Sequence, residues 1–214
     1  MPEFTDLHVH SQYSILDGAA GIGALISKVK KTGMTALALT DHGTMLGIKE
    51  FHSQCKKNGI KPILGCEAYI AKRTMYDRNE PGDKSGYHLV LLAKNVTGYH
   101  NLVKMISKAN LEGFYMKPRI DKDLLKEHSE GIIVSSACLG GEIPKLIANN
   151  NIEEAEKVIE WYKEVFGDDF YLEVMHHPSD DAVRKREVSD VQKLVNEKIF
   201  ELGLKHNVKI IATN

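Results

Sequence analysis

Two histidines one residue apart, His8 and His10, open a series of side chains able to hold a divalent cation. On an extended chain, residues two apart project to the same side, so both imidazoles face one way. Further along, Thr40-Asp41-His42, Gly65-Cys66-Glu67, Ser135-Ser136-Ala137-Cys138 and Met175-His176-His177 supply more imidazole, carboxylate and thiol groups. Together these are the donors that zinc and its neighbours select. Singly, each has an ordinary explanation. A His-x-His arises by chance, Asp41 suits a helix N-cap, Glu67 a salt bridge and Cys138 an inert buried thiol. Cys55 is expected on a helix and Cys66 facing away from Glu67. His52, His100, His128 and His206 fall in helical stretches and are expected at the surface. At most one of the adjacent His176 and His177 points inward.

What lifts the set above accident is its position in the apolar pattern. Short, continuously apolar runs at 6–10, 35–40, 62–69, 88–93, 131–136, 170–175 and 208–213 read as parallel strands covered on both faces. Between them, helices are expected from Ile22 to a stop at Gly33, and over 45–58, 97–111, 121–128, 141–148, 151–166 and 180–207. Asn151 and Glu154 have capping-box spacing. The polar stretch 73–86, with Pro81 and Gly82, reads as a surface excursion. Seven strand-then-helix units predict a parallel β/α barrel, in which function gathers at the carboxyl ends of the strands. The candidate donors fall at those ends.

Composition narrows the classes. The 214 residues are 43% hydrophobic and 27% charged, which suits one soluble α/β unit and excludes a disordered or collagen-like chain. The 28 Lys+Arg against 29 Asp+Glu leave a net charge of −1, so no nucleic acid is held by bulk charge. Three scattered cysteines argue against a disulfide framework and for a reducing, cytoplasmic setting. There is no signal-peptide pattern and no apolar run of membrane-spanning length, so no membrane partner is expected. The sequence stops directly after the apolar Ile210-Ile211-Ala212, and a fragment of a longer polypeptide is the expectation. No Walker-type phosphate loop is present, and Ser135 and Ser136 have no assignable partner.

The segments Asp6-Leu7-His8-Val9-His10-Ser11, Tyr13-Ser14-Ile15-Leu16-Asp17-Gly18 and Leu39-Thr40-Asp41-His42-Gly43 resemble the polymerase-and-histidinol-phosphatase (PHP) family. Lys61-Pro62-Ile63-Leu64-Gly65-Cys66-Glu67 and His88-Leu89-Val90-Leu91-Leu92-Ala93-Lys94-Asn95, with Thr97-Gly98-Tyr99, narrow the likeness to the PHP domains of bacterial replicative polymerases, the DNA polymerase III alpha subunits. The likeness covers essentially residues 1–214 as one PHP domain.

The resemblance implies a distorted seven-stranded, TIM-like β/α barrel. It also implies up to three divalent metals, zinc, manganese or iron, bound through nine ligands at a phosphoesterase site. Carried over residue by residue, the ligands are His8, His10, Asp17, His42, Glu67, His88 and Cys138, the last standing where stand-alone phosphatases have a histidine. Asp41 is implied as an orienting neighbour of an imidazole or a water. An Asp and a His are expected just beyond Asn214. His88 sits at the start of its strand, whereas the barrel rule would place a ligand at the end. Three functions are consistent with the set: a 3′–5′ proofreading exonuclease within a DNA polymerase, a catalytically silent metal-stabilised module of that polymerase, and, less favoured by the polymerase-type motifs, a small-molecule phosphatase. The implied partners are DNA, adjoining polymerase domains and replisome subunits. Polymerisation itself is assigned to residues outside this sequence.

Overall fold

The computed structural model describes residues 4–178 and 180–213 and is an α/β fold with eight strands and eight helices among the described residues. Its contacts divide it into two compact units, Met1–Gly86 with Val90–Ile132, and Tyr87–Leu89 with Ile133–Asn214.

The first unit opens with residues 6–10, which are extended but not a ladder strand. The Ala38 N–H donates to the Asp6 carbonyl and the Thr40 N–H to the Val9 carbonyl, both at 2.9 Å. The Val9 N–H, however, goes to the Thr40 hydroxyl oxygen at 2.9 Å. A side chain has taken the place of a backbone carbonyl, and the pairing stops there. Helix α1 (Ile22–Thr32) buries Ile22, Ile26 and Val29 at helical spacing and ends on left-handed Gly33. Strand β1 (Ala36–Leu39) is buried throughout. After α2 (Ile48–Lys57), strand β2 (Lys61–Ala71) pairs with it in parallel, from Ala36↔Lys61 to Leu39↔Leu64. The apolar faces of both helices meet β1 in one core around Leu37, Leu39 and Phe51. Each such fully buried side chain contributes roughly 1.5–3 kcal/mol.

The excursion after β2 holds a 3₁₀ turn at Pro81–Lys84. It is pinned rather than loose. Arg73 forks onto the buried Asp83 carboxylate, at 3.3 and 2.6 Å. Strand β3 (Gly86–Ala93) leads to α3 (Val96–Leu111), whose first turn is capped by the Asn95 side chain accepting the Gly98 N–H at 2.9 Å. A Cβ on Gly98 would lie 1.8 Å from the Gly131 carbonyl oxygen, so only glycine lets the two backbones meet.

A short antiparallel hairpin follows, β4 (Phe114–Tyr115) and β5 (Lys117–Ile120), which the apolar pattern does not announce. β5 then runs parallel to β2 through Tyr69↔Arg119 and Ile70↔Ile120. With residues 6–10 outside the ladder and β4 and β5 inside it, eight partly mixed strands stand where seven parallel ones were expected. Helix α4 (Lys122–Glu127) is capped by Asp121, which accepts the Leu124 N–H at 3.0 Å.

β6 (Ile132–Ser135) leads into the second unit, where it lies parallel to β7 (Phe170–Met175), and β7 to β8 (Lys209–Thr213). Helices α5 (Glu142–Ala148) and α6 (Ile152–Phe166) come between β6 and β7. The capping box expected at Asn151 does not form: its side chain caps nothing, and the Glu154 carboxylate is taken by Lys157 at 2.9 Å. The single helix expected over 180–207 is broken into α7 (Ala182–Arg184), a π-turn at Lys185–Ser189 and α8 (Asp190–His206). At the break, the Ser189 hydroxyl donates to the His177 carbonyl at 2.5 Å. No helix among the described residues is long and apolar enough to cross a membrane.

Candidate metal centre

Glu67 is the hub. It follows Cys66 on β2, is 1% exposed, and lies in parallel bridge register with His42, just past the end of β1. The Gly43 N–H donates to its carbonyl at 2.9 Å, fixing the Asp41-His42-Gly43 turn beside it. Gly43 has φ +61°, and a Cβ there would sit 2.6 Å from Pro118 Cγ, so this turn needs glycine twice over.

Three imidazoles converge on that one carboxylate. His8 Nε2 lies 3.2 Å from Oε1, His10 Nε2 3.1 Å from Oε2, and His42 Nδ1 2.9 Å from Oε2. On its other side, His42 Nε2 stands 2.7 Å from Asp17 Oδ2, a carboxylate half open to solvent. The rings of His10 and His42 stack at 4.3 Å, and Tyr69 stacks on His42 at 5.6 Å. Burial disfavours the charged form of His42, but Glu67 and Asp17 more than offset it and leave its pKa raised. Burial raises that of the Cys66 thiol, which faces the Asp41 carbonyl at 3.2 Å and not the imidazoles.

A divalent ion fits this set. The ligand atoms of His8, His10 and Glu67 all lie within 4.8 Å of one another, as do those of His10, Asp17 and His42. Donors around a tetrahedral zinc with ~2.0–2.1 Å bonds stand about 3.3 Å apart. The separations above are already close to that, with the two donor types such an ion takes.

Asp41 stands one side chain back from the imidazoles, behind Ser14. It is buried and accepts three hydrogen bonds: from Ser11 N–H at 2.7 Å, Ser11 Oγ at 2.8 Å and Ser14 Oγ at 2.8 Å. It reaches His10 through Ser14. Because the Ser14 hydroxyl proton goes to Asp41, its oxygen, 3.4 Å from His10 Nδ1, is left to accept. That favours the tautomer with the proton on Nδ1 and leaves the Nε2 lone pair facing Glu67. The same Ser14 oxygen accepts the His42 N–H at 3.1 Å. Ser11, Ser14 and Tyr69 were not singled out from the sequence. For Ser11 and Ser14 the only signal was their place inside the motifs, since hydroxyls that orient ligands look like ordinary turn residues; Tyr69, which stacks on His42, lies outside them.

In the second unit, His88 and Cys138 come together, with Sγ 3.6 Å from Nδ1. Ala137, at φ +59°, turns the chain there, and Gly140 donates its N–H to the Cys138 sulfur at 3.3 Å. His88 is the third residue of β3, so it does sit near a strand start. Ser135 and Ser136, given no partner above, both bind the buried Glu173. The Ser135 hydroxyl donates to Oε2, and the Ser136 oxygen accepts the Glu173 N–H at 2.9 Å. His176 and His177 line a separate cavity of about 260 Å³ with Lys185, Lys193 and Asn196. His52 and His100 are exposed, whereas His128 and His206 are half-buried. Cys55 is buried on α2. Asn214, beyond which the last two ligands are expected, lies outside the described residues.

The chain is similar to known proteins along its whole length. The chain is 49% identical over 212 residues to the DNA polymerase III subunit alpha of Borreliella burgdorferi, and 43% identical over 216 residues to that of Thermus aquaticus. Each alignment takes in 99% of this chain but only 18% and 17% of the relative. Among solved structures, a Bifidobacterium adolescentis protein assigned as a metal-dependent phosphoesterase matches with a TM-score of 0.58 at 13% identity, covering 100% of this chain and 87% of the other. A two-domain Bacteroides vulgatus protein containing a predicted PHP-like metal-dependent phosphoesterase matches at 0.56 and 15% identity, over 98% of this chain and 50% of the other. These likenesses show the α/β fold of the PHP phosphoesterases. With the PHP domain model matching residues 6–177, the chain belongs to the PHP family.

Proposed function

We propose that this chain is the metal-dependent phosphoesterase domain of a polymerase of the DNA polymerase III alpha type, hydrolysing DNA phosphodiesters in the 3′–5′ direction as a proofreading activity. One observation carries the reading: a buried carboxylate whose two oxygens face three imidazoles at 2.9–3.2 Å. His8, His10, Asp17, His42 and Glu67 would hold divalent ions, zinc, manganese or iron and up to three in all, with His88 and Cys138 as further donors. When bound, such ions lower the pKa of coordinated water toward ~7 and neutralise charge on phosphoryl oxygens.

The chain's own residues set the geometry. Glu67 aligns the three rings, and Asp41 fixes the 11–14 turn through Ser11 and Ser14. Ser14 Oγ stands at His10 Nδ1, where it can accept a hydrogen bond, and Asp17 holds His42 Nε2 from the solvent side. The partners are DNA, the adjoining polymerase domains and replisome subunits, in the cytoplasm where these work.

The test uses the full polypeptide purified without chelator. Elemental analysis should find bound zinc, manganese or iron, and 5′-labelled single-stranded DNA should shorten from its 3′ end. Chelation, or His8→Ala with His10→Ala, should abolish both. Metal retention with no cleavage would instead make the domain a metal-stabilised structural module, and absence of metal would remove both readings.

A further inference from the structure

We propose that Lys117 is the substrate-binding cation of this centre, taking a DNA backbone phosphate next to the one being cleaved. The inference rests on the phosphoesterase reading above and deepens it. Lys117 opens β5, which pairs with β2 from Tyr69↔Arg119 onward, while Glu67 itself is bridged to His42. The hairpin thus joins β2 two residues past the hub carboxylate and brings a lysine onto Tyr69. Its ammonium lies over the Tyr69 ring, 5.2 Å from the centroid, and Tyr69 in turn stacks on His42. The cation stands two ring contacts from the ligand set.

Three features make it a binding group. No carboxylate among the described residues lies within ion-pair distance of this ammonium; it meets the face of the Tyr69 ring, a contact that leaves its N–H donors available to a phosphate. The residue is half-exposed, so its ammonium can meet a ligand from solvent. And its backbone is held rigidly. Arg119, on the same short strand, is fully buried and donates to the carbonyls of Gly113, Met75, Asp77 and Asp83 at 2.7–3.2 Å. Pro118 packs against the Gly43 position, and Met116, at φ +62°, makes the tight turn before it. A chain with a net charge of −1 has no broad basic field to hold DNA, so one fixed cation beside the centre supplies what the surface lacks. Phosphate contacts of this kind position a nucleic acid without reading its sequence.

The experiment compares wild type, Lys117→Ala, Lys117→Arg and Lys28→Ala, a control removing an exposed charge from α1, all as the full metal-loaded polypeptide. Two substrates are used: a short oligothymidylate, and bis(p-nitrophenyl) phosphate, which has no neighbouring phosphate. Oligothymidylate binding is also read by fluorescence anisotropy across salt concentrations. Lys117→Ala should raise KM for the oligonucleotide roughly fivefold with kcat unchanged. It should flatten the slope of log affinity against log salt by about 0.7, the loss of one single-strand phosphate contact. Metal content and small-ester hydrolysis should stay as in wild type, Lys117→Arg should recover most of the affinity, and Lys28→Ala should change nothing. Equal losses on both substrates, or loss of metal, would make Lys117 a structural support of Tyr69 and overturn the proposal, as would an unchanged salt slope. If wild type cleaves neither substrate, the phosphoesterase reading falls, while the anisotropy slope still decides Lys117.

Discussion

Two buried carboxylates, Glu67 on β2 and Glu173 on β7, are both 1% exposed, yet their neighbours differ in kind. Glu173 is met by hydroxyls, from Ser135 and from Thr213 Oγ1 at 2.5 Å, groups that donate a hydrogen bond and keep their proton. Glu67 is met by imidazoles, which can bind a proton or give it up and offer a lone pair to a metal. A buried charge must be compensated in either case. Fixed donors make the carboxylate a structural tie between strands, whereas titratable donors make it exchangeable for a cation. Burial alone does not mark a functional acid; the chemistry of its partners does.

The largest expected effect breaks that contrast directly. Glu67→Gln should strip the ions held by His8, His10 and His42 and lower phosphodiester hydrolysis by at least ~10³-fold, because the electrostatic clamp goes with them. Elemental analysis and hydrolysis rates measure both. Glu173→Ala should do the reverse. It leaves two hydroxyls buried without their acceptor and should cost about 3 kcal/mol of stability, read by denaturant unfolding, with metal content unchanged. If Glu173→Ala lost metal as completely as Glu67→Gln, the distinction between tie and ligand site would fail.

The sequence makes one side of this comparison legible and hides the other. The Glu67 cluster shows because its donors are rare residue types packed into short motifs: His8-x-His10, Asp41-His42 and Cys66-Glu67 on consecutive elements. Glu173 does not show, since a glutamate in an apolar run carries no sign of which hydroxyls it will meet from strands near and far in sequence. Six of the seven expected strands form, because continuous apolar runs are enough to name a buried strand. Residues 6–10 miss the ladder through a single hydroxyl, that of Thr40, which no periodicity reveals. The β4–β5 hairpin escapes because two- and four-residue strands are shorter than any pattern window. Its anchor, buried Arg119, reads in sequence as an ordinary surface charge.

A finer break concerns orientation within the Glu67 set. Ser14→Ala removes the oxygen facing His10 Nδ1 but leaves Asp41 its two bonds from Ser11. With the tautomer no longer selected, metal affinity should fall about 10–100-fold, the usual effect of losing a group that orients a ligand. Competition with a metal-binding dye measures it. The fold should survive, although the bonds to Asp41 and from the His42 N–H go with that hydroxyl, at a cost of about 2–3 kcal/mol. Unchanged affinity would show that Glu67 alone sets the ring positions.

The smallest effect asks whether the second unit also holds a metal, and the three thiols report on it separately. Cys55 is buried, with its pKa pushed up to about 11, and Cys66 is buried and pushed higher still. At pH 8 the Cys55 thiolate fraction is then on the order of 10⁻³, so alkylation there should be very slow, and slower again at Cys66. Cys138, beside His88 and accepting the Gly140 N–H, is half-exposed and so the most accessible of the three thiols. Iodoacetamide followed by mass spectrometry should therefore label Cys138 first in metal-free protein. If Cys138 is a ligand, its sulfur is occupied by the ion, and zinc should slow that labelling about tenfold without changing Cys55. Equal labelling rates with and without zinc, in protein shown by elemental analysis to carry metal, would remove Cys138 from the ligand set. The comparison would then sharpen to a first unit that binds metal and a second that only ties its strands together.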